Sequence, residues 1–142
     1  MKVLKTVQLA VAAAVVTSFL AGHLHGANSG PCYIINKAGK KIRGVSIEAK
    51  ANGDLQLKES PGSRPLPFPR GTYKEAYVPK PKSVHQLETA YSKGQFDQVL
   101  KYSPQMLEKY KYLGWGDLIS YYYGMTMVER EKYEQALNVF DR

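Results

Sequence analysis

Residues 90–100 read AYSKGQFDQVL, and residues 127–137 read MVEREKYEQAL. When the second stretch is shifted back by 37 positions, the two show the same order of residue types. An aromatic residue (Phe96 or Tyr133) is followed three positions later by a smaller apolar residue and then by a leucine. Apolar residues three and four positions apart share one face of an α-helix. The two stretches therefore predict two similar helical units, and they decide how the second half of the chain folds.

This doubled pattern resembles the tetratricopeptide repeat (TPR), a helix–turn–helix unit of about 34 residues. The resemblance covers residues 83–142. It is closer in the second copy, where residues 133–140 carry the aromatic, small, Leu and Phe positions of the family's second helix. The first copy departs from the family, because Val99 is larger than the usual alanine and Ser103 replaces an aromatic residue. The resemblance implies antiparallel helix pairs, here two units of which the second is incomplete.

Capping residues predict the boundaries of the first helix pair. Ser83 has a side chain suited to the N-cap of the first helix, and Gly94 suits the turn that ends it. Pro104 lies within the second helix, where it removes a backbone hydrogen bond and clashes with the preceding turn. We expect either a kink at Pro104 or a fresh start there, with Ser103 as the cap.

The second helix pair follows the sequence LGWG at residues 113–116, which predicts a turn. Asp117 is the expected cap of the third helix, and the fourth helix is expected to begin near Lys132. Helical spacing also predicts which side chains point inward: Leu118, Tyr121, Tyr122, Met125 and Val128 in the third helix, and Tyr133, Ala136, Leu137 and Phe140 in the fourth.

The repeat pattern stops inside the fourth helix. Helical repeat arrays usually need about three units and a polar capping helix. Two units without a cap leave the side of Leu137 and Phe140 open. We expect a longer repeat protein of which this chain is a part; the alternative is that this side packs on the rest of the chain or on another copy.

The segment before the helices alternates apolar and polar residues, as half-buried strands do. Residues 32–35 and 41–50 predict two strands, with a bend or a bulge at Gly44 in the second. Residues 55–58 predict a return strand. The pair Asn52-Gly53 between them predicts a tight hairpin in which both residues take positive φ.

The end of this segment is less regular. Residues 65–69 alternate with proline and predict an extended edge segment, and residues 71–77 predict either a last strand or a single helical turn. Residues 30–78 are therefore expected to form a small antiparallel β meander of three or four strands, similar in pattern to a small SH3-like barrel. A stiff Pro/Lys linker over residues 79–82 joins it to the TPR-like helices of residues 83–142, so the predicted fold class is α+β.

The first 29 residues have the layout of a secretory signal peptide. Lys2 and Lys5 precede a short apolar run, and small residues follow it. An uncleaved anchor is the alternative, but the run is shorter than the ~20 apolar residues that a spanning helix needs. We therefore expect an exported protein of the bacterial type, located in the periplasm or cell envelope.

Charge is unevenly distributed along the chain. Residues 27–82 carry 11 Lys and Arg against 4 Asp and Glu, whereas residues 83–142 carry 7 against 8. A basic segment of this kind suits an anionic partner, either an envelope polymer or a membrane surface. The export pattern argues against nucleic acid. A lysine-rich surface with no such partner is the alternative.

No set of residues in the sequence predicts catalysis. His23 and His25 fall in the predicted signal peptide, and His85 alone makes neither a metal site nor a catalytic pair. Cys32 is the single cysteine, so a buried thiol is expected, with an intermolecular link as the alternative. We therefore expect a non-enzymatic protein that has no catalytic residues and takes no metal or cofactor.

Tyrosines are concentrated in the helical half, where eight of the eleven lie. In TPR proteins the first helix of each pair lines the concave face, and the resemblance places there Glu88, Tyr91, Tyr121, Met125 and Val128. Tyrosine carries much of the energy at protein interfaces. We therefore predict a scaffold or adaptor that binds another protein or a peptide segment there. The alternatives are binding of an anionic envelope polymer or membrane surface by the basic β module, and self-association through the uncapped last helix.

Overall fold

Six strands and four helices follow one another along residues 31–141, the part of the chain that the computed structural model describes. The α+β class is confirmed, while the predicted signal peptide lies outside the described residues. The strands are β1 (Cys32–Asn36), β2 (Lys41–Gly44), β3 (Ser46–Ala49), β4 (Leu55–Lys58), β5 (Leu66–Phe68) and β6 (Tyr73–Tyr77). The helices are α1 (Lys82–Ser92), α2 (Phe96–Tyr110), α3 (Gly116–Glu129) and α4 (Tyr133–Phe140).

The strands form two antiparallel sheets of three strands, in the orders β2-β1-β6 and β3-β4-β5. The region 71–77, for which the sequence allowed a strand or a helical turn, is strand β6. It pairs with β1, with Ile34 opposite Ala76, and not with β5. The prediction of one meander of three or four strands is therefore wrong, because the last strand returns to the first and completes a separate sheet.

Gly44 divides the predicted strand 41–50 between the two sheets. β2 ends at Gly44, and the next residue, Val45, donates its backbone N–H to the carbonyl oxygen of Lys58 in β4 at 2.8 Å. A Cβ atom at Gly44 would lie 2.5 Å from that same oxygen. Only glycine allows the chain to pass this close to β4, so the predicted bend is the point where one sheet becomes the other.

The β3–β4 hairpin uses a different turn from the one predicted. Gly53 has φ of 89°, but Asn52 does not share the positive φ. The N–H of Gly53 donates to the carbonyl of Lys50 at 2.9 Å, and the N–H of Lys50 donates to the carbonyl of Asp54 at 2.8 Å. This is the pattern of a three-residue loop, in which a type I turn precedes one left-handed residue. The loop is one residue longer than predicted, and only one of its residues, Gly53, takes a positive φ.

The core of the two sheets extends into the helical half. Ile34, Leu55 and Leu57 are fully buried between the sheets. Leu113, from the turn between α2 and α3, packs in the same cluster. The N–H of Val78 donates to the carbonyl of Leu113 at 3.3 Å, and Trp115 Nε1 donates to the carbonyl of Val78 at 2.8 Å. The α2–α3 turn is therefore attached to the β half by apolar packing and by two hydrogen bonds to Val78.

The predicted caps Ser83 and Asp117 are both wrong. α1 begins at Lys82, two residues earlier than a cap at Ser83 implies, and Pro81 occupies the N-cap position at φ −66° and ψ 146°. The proline ring holds φ near this value. α3 begins after Trp115, and Asp117 lies in its first turn. A carboxylate in the first turn still stabilises a helix through the helix dipole, so Asp117 has a related role without the capping bond.

α2 continues through Pro104 as one helix from Phe96 to Tyr110. The expected fresh start with Ser103 as a cap is therefore wrong. Val99 and Met106 are buried on either side of the proline, and this packing holds the helix together although Pro104 donates no hydrogen bond. Ser103 is fully buried, and within residues 31–141 its Oγ has no hydrogen-bond partner.

The two helix pairs contain the same turn. In each pair a left-handed residue follows the first helix, and the next N–H reaches back five residues to a helix carbonyl, as in a Schellman motif. The equivalent bonds are Gln95 N to Ala90 O at 2.9 Å and Lys132 N to Met127 O at 2.8 Å, and the left-handed residues are Gly94 at φ 68° and Glu131 at φ 59°. The two turns, 37 residues apart, are therefore equivalent in their backbone hydrogen bonds.

The inward positions of the second pair are only partly as predicted. In α4, Ala136 and Val139 are buried, but Tyr133, Leu137 and Phe140 are 59%, 62% and 47% exposed. The prediction of Tyr133 and Leu137 as inward side chains is wrong, and so is that of Tyr121 in α3, which is 49% exposed. Phe140 is inward in part, because its ring packs directly over Gly124 of α3. α3 contacts α1, α2 and α4 and is buried on several sides, at Ile119, Gly124, Thr126 and Met127.

Candidate functional site

Tyr91 and Tyr121, two of the predicted partner-binding residues, come together through a third tyrosine. The ring centroids of Tyr91 in α1 and Tyr122 in α3 lie 5.0 Å apart with the planes tilted by 47°. Tyr121 and Tyr122 meet edge to face at 5.4 Å, a favoured geometry for aromatic pairs. Tyr121 remains 49% exposed. The first helices of the two pairs are thus joined by a cluster of rings that ends in solvent.

The electrostatics of Tyr91 indicate which groups surround its hydroxyl. Burial raises the pKa of Tyr91 above its ordinary value, and the nearby Tyr121, Glu129 and Tyr122 raise it further. Like charges nearby disfavour the ionised phenolate. Tyr91 therefore remains a neutral phenol that can both donate and accept a hydrogen bond.

The remaining three predicted residues are less available. Glu88 forms an ion pair with Lys80 Nζ and has His85 Nδ1 at 3.5 Å, so its carboxylate connects α1 to the segment before it. Val128 is half-buried against the cluster shared by α3 and α4, and Met125 is half-buried. The sequence analysis did not select Tyr122 as a site residue, although it is the ring that connects the two helices.

A second surface lies on the basic β module, and aromatic residues far apart in the chain form it. The sequence indicated the module as an alternative binding surface but singled out none of these residues. Tyr33 and Tyr77 stack at 5.3 Å with nearly parallel planes (22°), and Tyr77 lies 5.9 Å from Trp115. Lys41 Nζ lies 3.6 Å above the Tyr33 ring, and Lys80 Nζ lies 5.8 Å from the Trp115 ring. Three rings in a row therefore have an ammonium group at each end.

Strand register explains this arrangement. In the sheet β2-β1-β6, Tyr33 is paired with Arg43 on one side and with Tyr77 on the other, so the three side chains form one row across one face. Residues two positions apart share a face, so Lys41 belongs to the same side. We call the outward side chains of Tyr33, Lys41, Arg43 and Tyr77 the basic aromatic face.

An open cavity of about 620 Å³ lies on the basic aromatic face. Pro31 and Pro79 complete its lining. The hydroxyl of Tyr33 donates to Glu75 Oε1 at 2.8 Å, and this bond is the first cause of the raised pKa of Tyr33. No salt bridge to Lys41 or Arg43 is present among residues 31–141.

Cys32 is 1% exposed and lies in the core of the sheets, where burial raises the pKa of its thiol. The predicted buried thiol is confirmed. Within the described residues no three His, Cys, Asp or Glu side chains are grouped in a way that could hold a metal ion.

A scan against protein-family models found no match, and neither the search of curated proteins nor the search of solved structures returned one. Between residues 31 and 141, no helix is long and apolar enough to cross a membrane. The function is therefore inferred from the geometry of the two surfaces.

Proposed function

We propose that the chain is a non-enzymatic, exported scaffold of the cell envelope, and that its TPR-like helices bind an extended segment of another protein. The observation that carries this proposal is the aromatic cluster of Tyr91, Tyr122 and Tyr121. It joins α1 and α3, the first helices of the two pairs, and it leaves one large ring half exposed. Export rests on the sequence pattern of residues 1–29.

The TPR-like character of the helices is supported by the repeated turn at Gly94 and Glu131. Thr89 and Thr126, 37 positions apart, also make equivalent side-chain bonds to the carbonyls four residues earlier. An SH3-like character of the β module is supported by the passage of one strand from sheet to sheet at Gly44. We propose both relationships as descriptions of the architecture, from which no ligand is transferred.

An exposed tyrosine beside buried rings suits a protein partner for a physical reason. A Tyr ring presents a large apolar area at a low cost in conformational entropy. Its hydroxyl can still form a hydrogen bond when a partner covers the ring. Tyr122 holds Tyr121 in place from the side. Binding therefore costs little ordering of this side chain, as expected for a residue that contributes strongly to an interface.

Site-specific photocrosslinking tests the proposal. A photoreactive phenylalanine analogue replaces Tyr121 in the full chain. In a matched control it replaces Tyr133, a somewhat more exposed tyrosine on α4 (59% against 49%). Crosslinking is carried out in an envelope preparation of the source cell, and the attached peptide is sequenced. A synthetic peptide of that sequence is then titrated against the purified protein.

We expect one defined peptide to be crosslinked from position 121 and not from position 133. The change Tyr121→Ala should weaken its binding by roughly tenfold or more, as for a typical interface hot spot, whereas Tyr133→Ala should leave it unchanged. Equal crosslinking from both positions, or unchanged affinity in the Tyr121 variant, would show that the partner binds elsewhere.

A further inference from the structure

We propose that the basic aromatic face binds a segment of acidic polysaccharide. This site shares no residue with the Tyr91–Tyr122–Tyr121 cluster, and the inference does not depend on the proposed protein partner. It rests on the cations Lys41 and Arg43, the stacked rings of Tyr33 and Tyr77, and the open cavity that these four side chains line.

The two exposed cations of this face favour an anionic ligand. Lys41 and Arg43 lie two residues apart on one edge of the sheet, and in the described part of the chain neither has a carboxylate partner within salt-bridge distance. Glu75, on the opposite strand, accepts the Tyr33 hydroxyl. Arg43 can bind a carboxylate through two hydrogen bonds, and Lys41 adds a point charge beside it.

The stacking of the rings argues against nucleobases. Tyr33 has Lys41 over its ring and Tyr77 stacked beside it, and Tyr77 lies between Tyr33 and Trp115. Single-stranded nucleic acids are bound by stacking of their bases on free aromatic faces. Here ring faces are already used within the protein, and ring edges with their hydroxyl groups remain for a ligand.

Exposed ring edges suit a ligand that carries many hydroxyl groups. The Tyr77 hydroxyl has no hydrogen-bond partner among residues 31–141, and the Tyr33 hydroxyl, which donates to Glu75, can still accept a bond. Glu75 adds carboxylate lone pairs for a sugar hydroxyl. A polysaccharide with carboxylate groups supplies both the hydroxyls for these edges and the negative charge for the two cations.

The shape of the face argues against a lipid surface. Binding to a membrane needs apolar side chains that project into the acyl region, but Tyr33 and Tyr77 are only partly exposed. The large apolar side chains that project from the β module are Val45 and Leu66, which are not among the residues that line the cavity. A cavity of about 620 Å³ lies in the range of small-molecule sites and accommodates short sugar segments.

The test is a fluorescence titration of the full chain. Trp115 is the only tryptophan in the sequence and contacts Tyr77, so it reports on this face. The probe is a polyuronate oligosaccharide at low salt, compared with a neutral oligosaccharide of equal length, single-stranded DNA and anionic phospholipid vesicles. The double variant Lys41→Gln/Arg43→Gln is compared with Lys101→Gln/Lys109→Gln, which removes the same charge from exposed lysines beside tyrosine rings in α2.

We expect saturable binding of the polyuronate that weakens as salt is added. The Lys41/Arg43 variant should bind at least about tenfold more weakly, the loss that corresponds to about 1.4 kcal/mol, and the Lys101/Lys109 variant should bind within about twofold of the parent protein. Both pairs are exposed, and a circular dichroism melt confirms that the variants are folded. Equal loss in the two variants, equal binding of the neutral oligosaccharide, or tighter binding of DNA or vesicles would overturn the proposal.

Discussion

Gly94 and Glu131 occupy the same left-handed position in two equivalent turns 37 residues apart, at φ 68° and 59°. Glycine takes this conformation freely, whereas for other residues it costs about 1–2 kcal/mol. The second turn therefore stores strain that the first does not. Since glycine loses about 0.5–1 kcal/mol in chain entropy, we predict that Glu131→Gly raises the free energy of unfolding by roughly 0.5 kcal/mol.

The matched change is Gly94→Ala, which should lower the free energy of unfolding by about 1 kcal/mol. A Cβ atom at Gly94 would have no described atom nearby, so this loss comes from the backbone conformation alone. Urea denaturation with a common slope measures both variants. A loss of stability in Glu131→Gly would mean that the glutamate side chain contributes more than its backbone strain costs.

Removal of two buried hydroxyl groups in the helices, those of Ser103 and Thr126, should change the stability of the protein in opposite directions. In the described structure Ser103 Oγ has no partner, whereas Thr126 Oγ1 donates to the carbonyl of Tyr122 at 2.7 Å. An unpartnered buried hydroxyl costs free energy, and a satisfied one contributes about 1 kcal/mol. We predict that Ser103→Ala stabilises the protein by up to about 1 kcal/mol and that Thr126→Val destabilises it by about 1 kcal/mol.

Chemical denaturation of the two variants side by side provides the measurement. A destabilised Ser103→Ala protein would indicate that a bound water satisfies the hydroxyl. Valine keeps the shape of the threonine side chain. Equal effects of the two changes on the free energy of unfolding would therefore show that the Thr126 hydrogen bond adds no stability.

The Trp115 indole connects the helical half to the sheets. Its Nε1 donates to the Val78 carbonyl at 2.8 Å, and its ring contacts Tyr77. We predict that Trp115→Phe lowers the free energy of unfolding by about 1–3 kcal/mol. The part-buried carbonyl of Val78 loses its hydrogen-bond donor, and the smaller ring buries less apolar surface. Tyr133→Phe, a change at an exposed ring, should have no effect, and far-ultraviolet circular dichroism can follow both variants.

The Cys32 thiol should make stability decrease at alkaline pH. Burial raises its pKa in the folded protein above the ordinary value of 9.0. The folded state therefore favours the protonated thiol, and its contribution is complete below pH 9 and is lost as the pH rises through the higher folded pKa. Tyr33, Tyr73 and Tyr91, whose pKa values are also raised, act in the same direction at higher pH.

Comparison with Cys32→Ala isolates the contribution of the thiol to the pH dependence of stability. The free energy of unfolding of this variant should fall less steeply between about pH 9 and pH 10 than that of the parent protein. The native thiol should also resist a disulfide reagent at pH 8 and react once urea unfolds the protein. Fast labelling of the folded protein would contradict the buried position of Cys32.

The sequence predicted best the features that depend on neighbouring residues. Gly94 ends its helix as expected, because the left-handed turn there is a local property of glycine. Pro104 shows the limit of such reasoning, since a proline that interrupts an isolated helix lies within α2, where tertiary packing outweighs its cost. The bend at Gly44 was predicted correctly, but its consequence, the change of sheet, depends on contact with Lys58.

The two candidate surfaces differed in how far the sequence could predict them. Tyr91 and Tyr121 lie 30 residues apart in the chain, and the TPR resemblance was enough to predict that both belong to one face, formed by the first helices of the two pairs. Tyr33 and Tyr77 are adjacent only because β6 pairs with β1, and no local pattern indicates which distant strand will be the neighbour. The basic aromatic face could therefore be found only once the strand order was known.

The insertion of Leu113 among Ile34, Leu55 and Leu57 has a consequence for the segment 79–82. This segment is not the only connection between the sheets and the helices, because the α2–α3 turn forms a second, noncovalent one. If a protease cut the chain within 79–82, the two fragments would remain associated through the turn. Such a nicked protein should elute at the size of the intact one and separate into its pieces only under denaturing conditions.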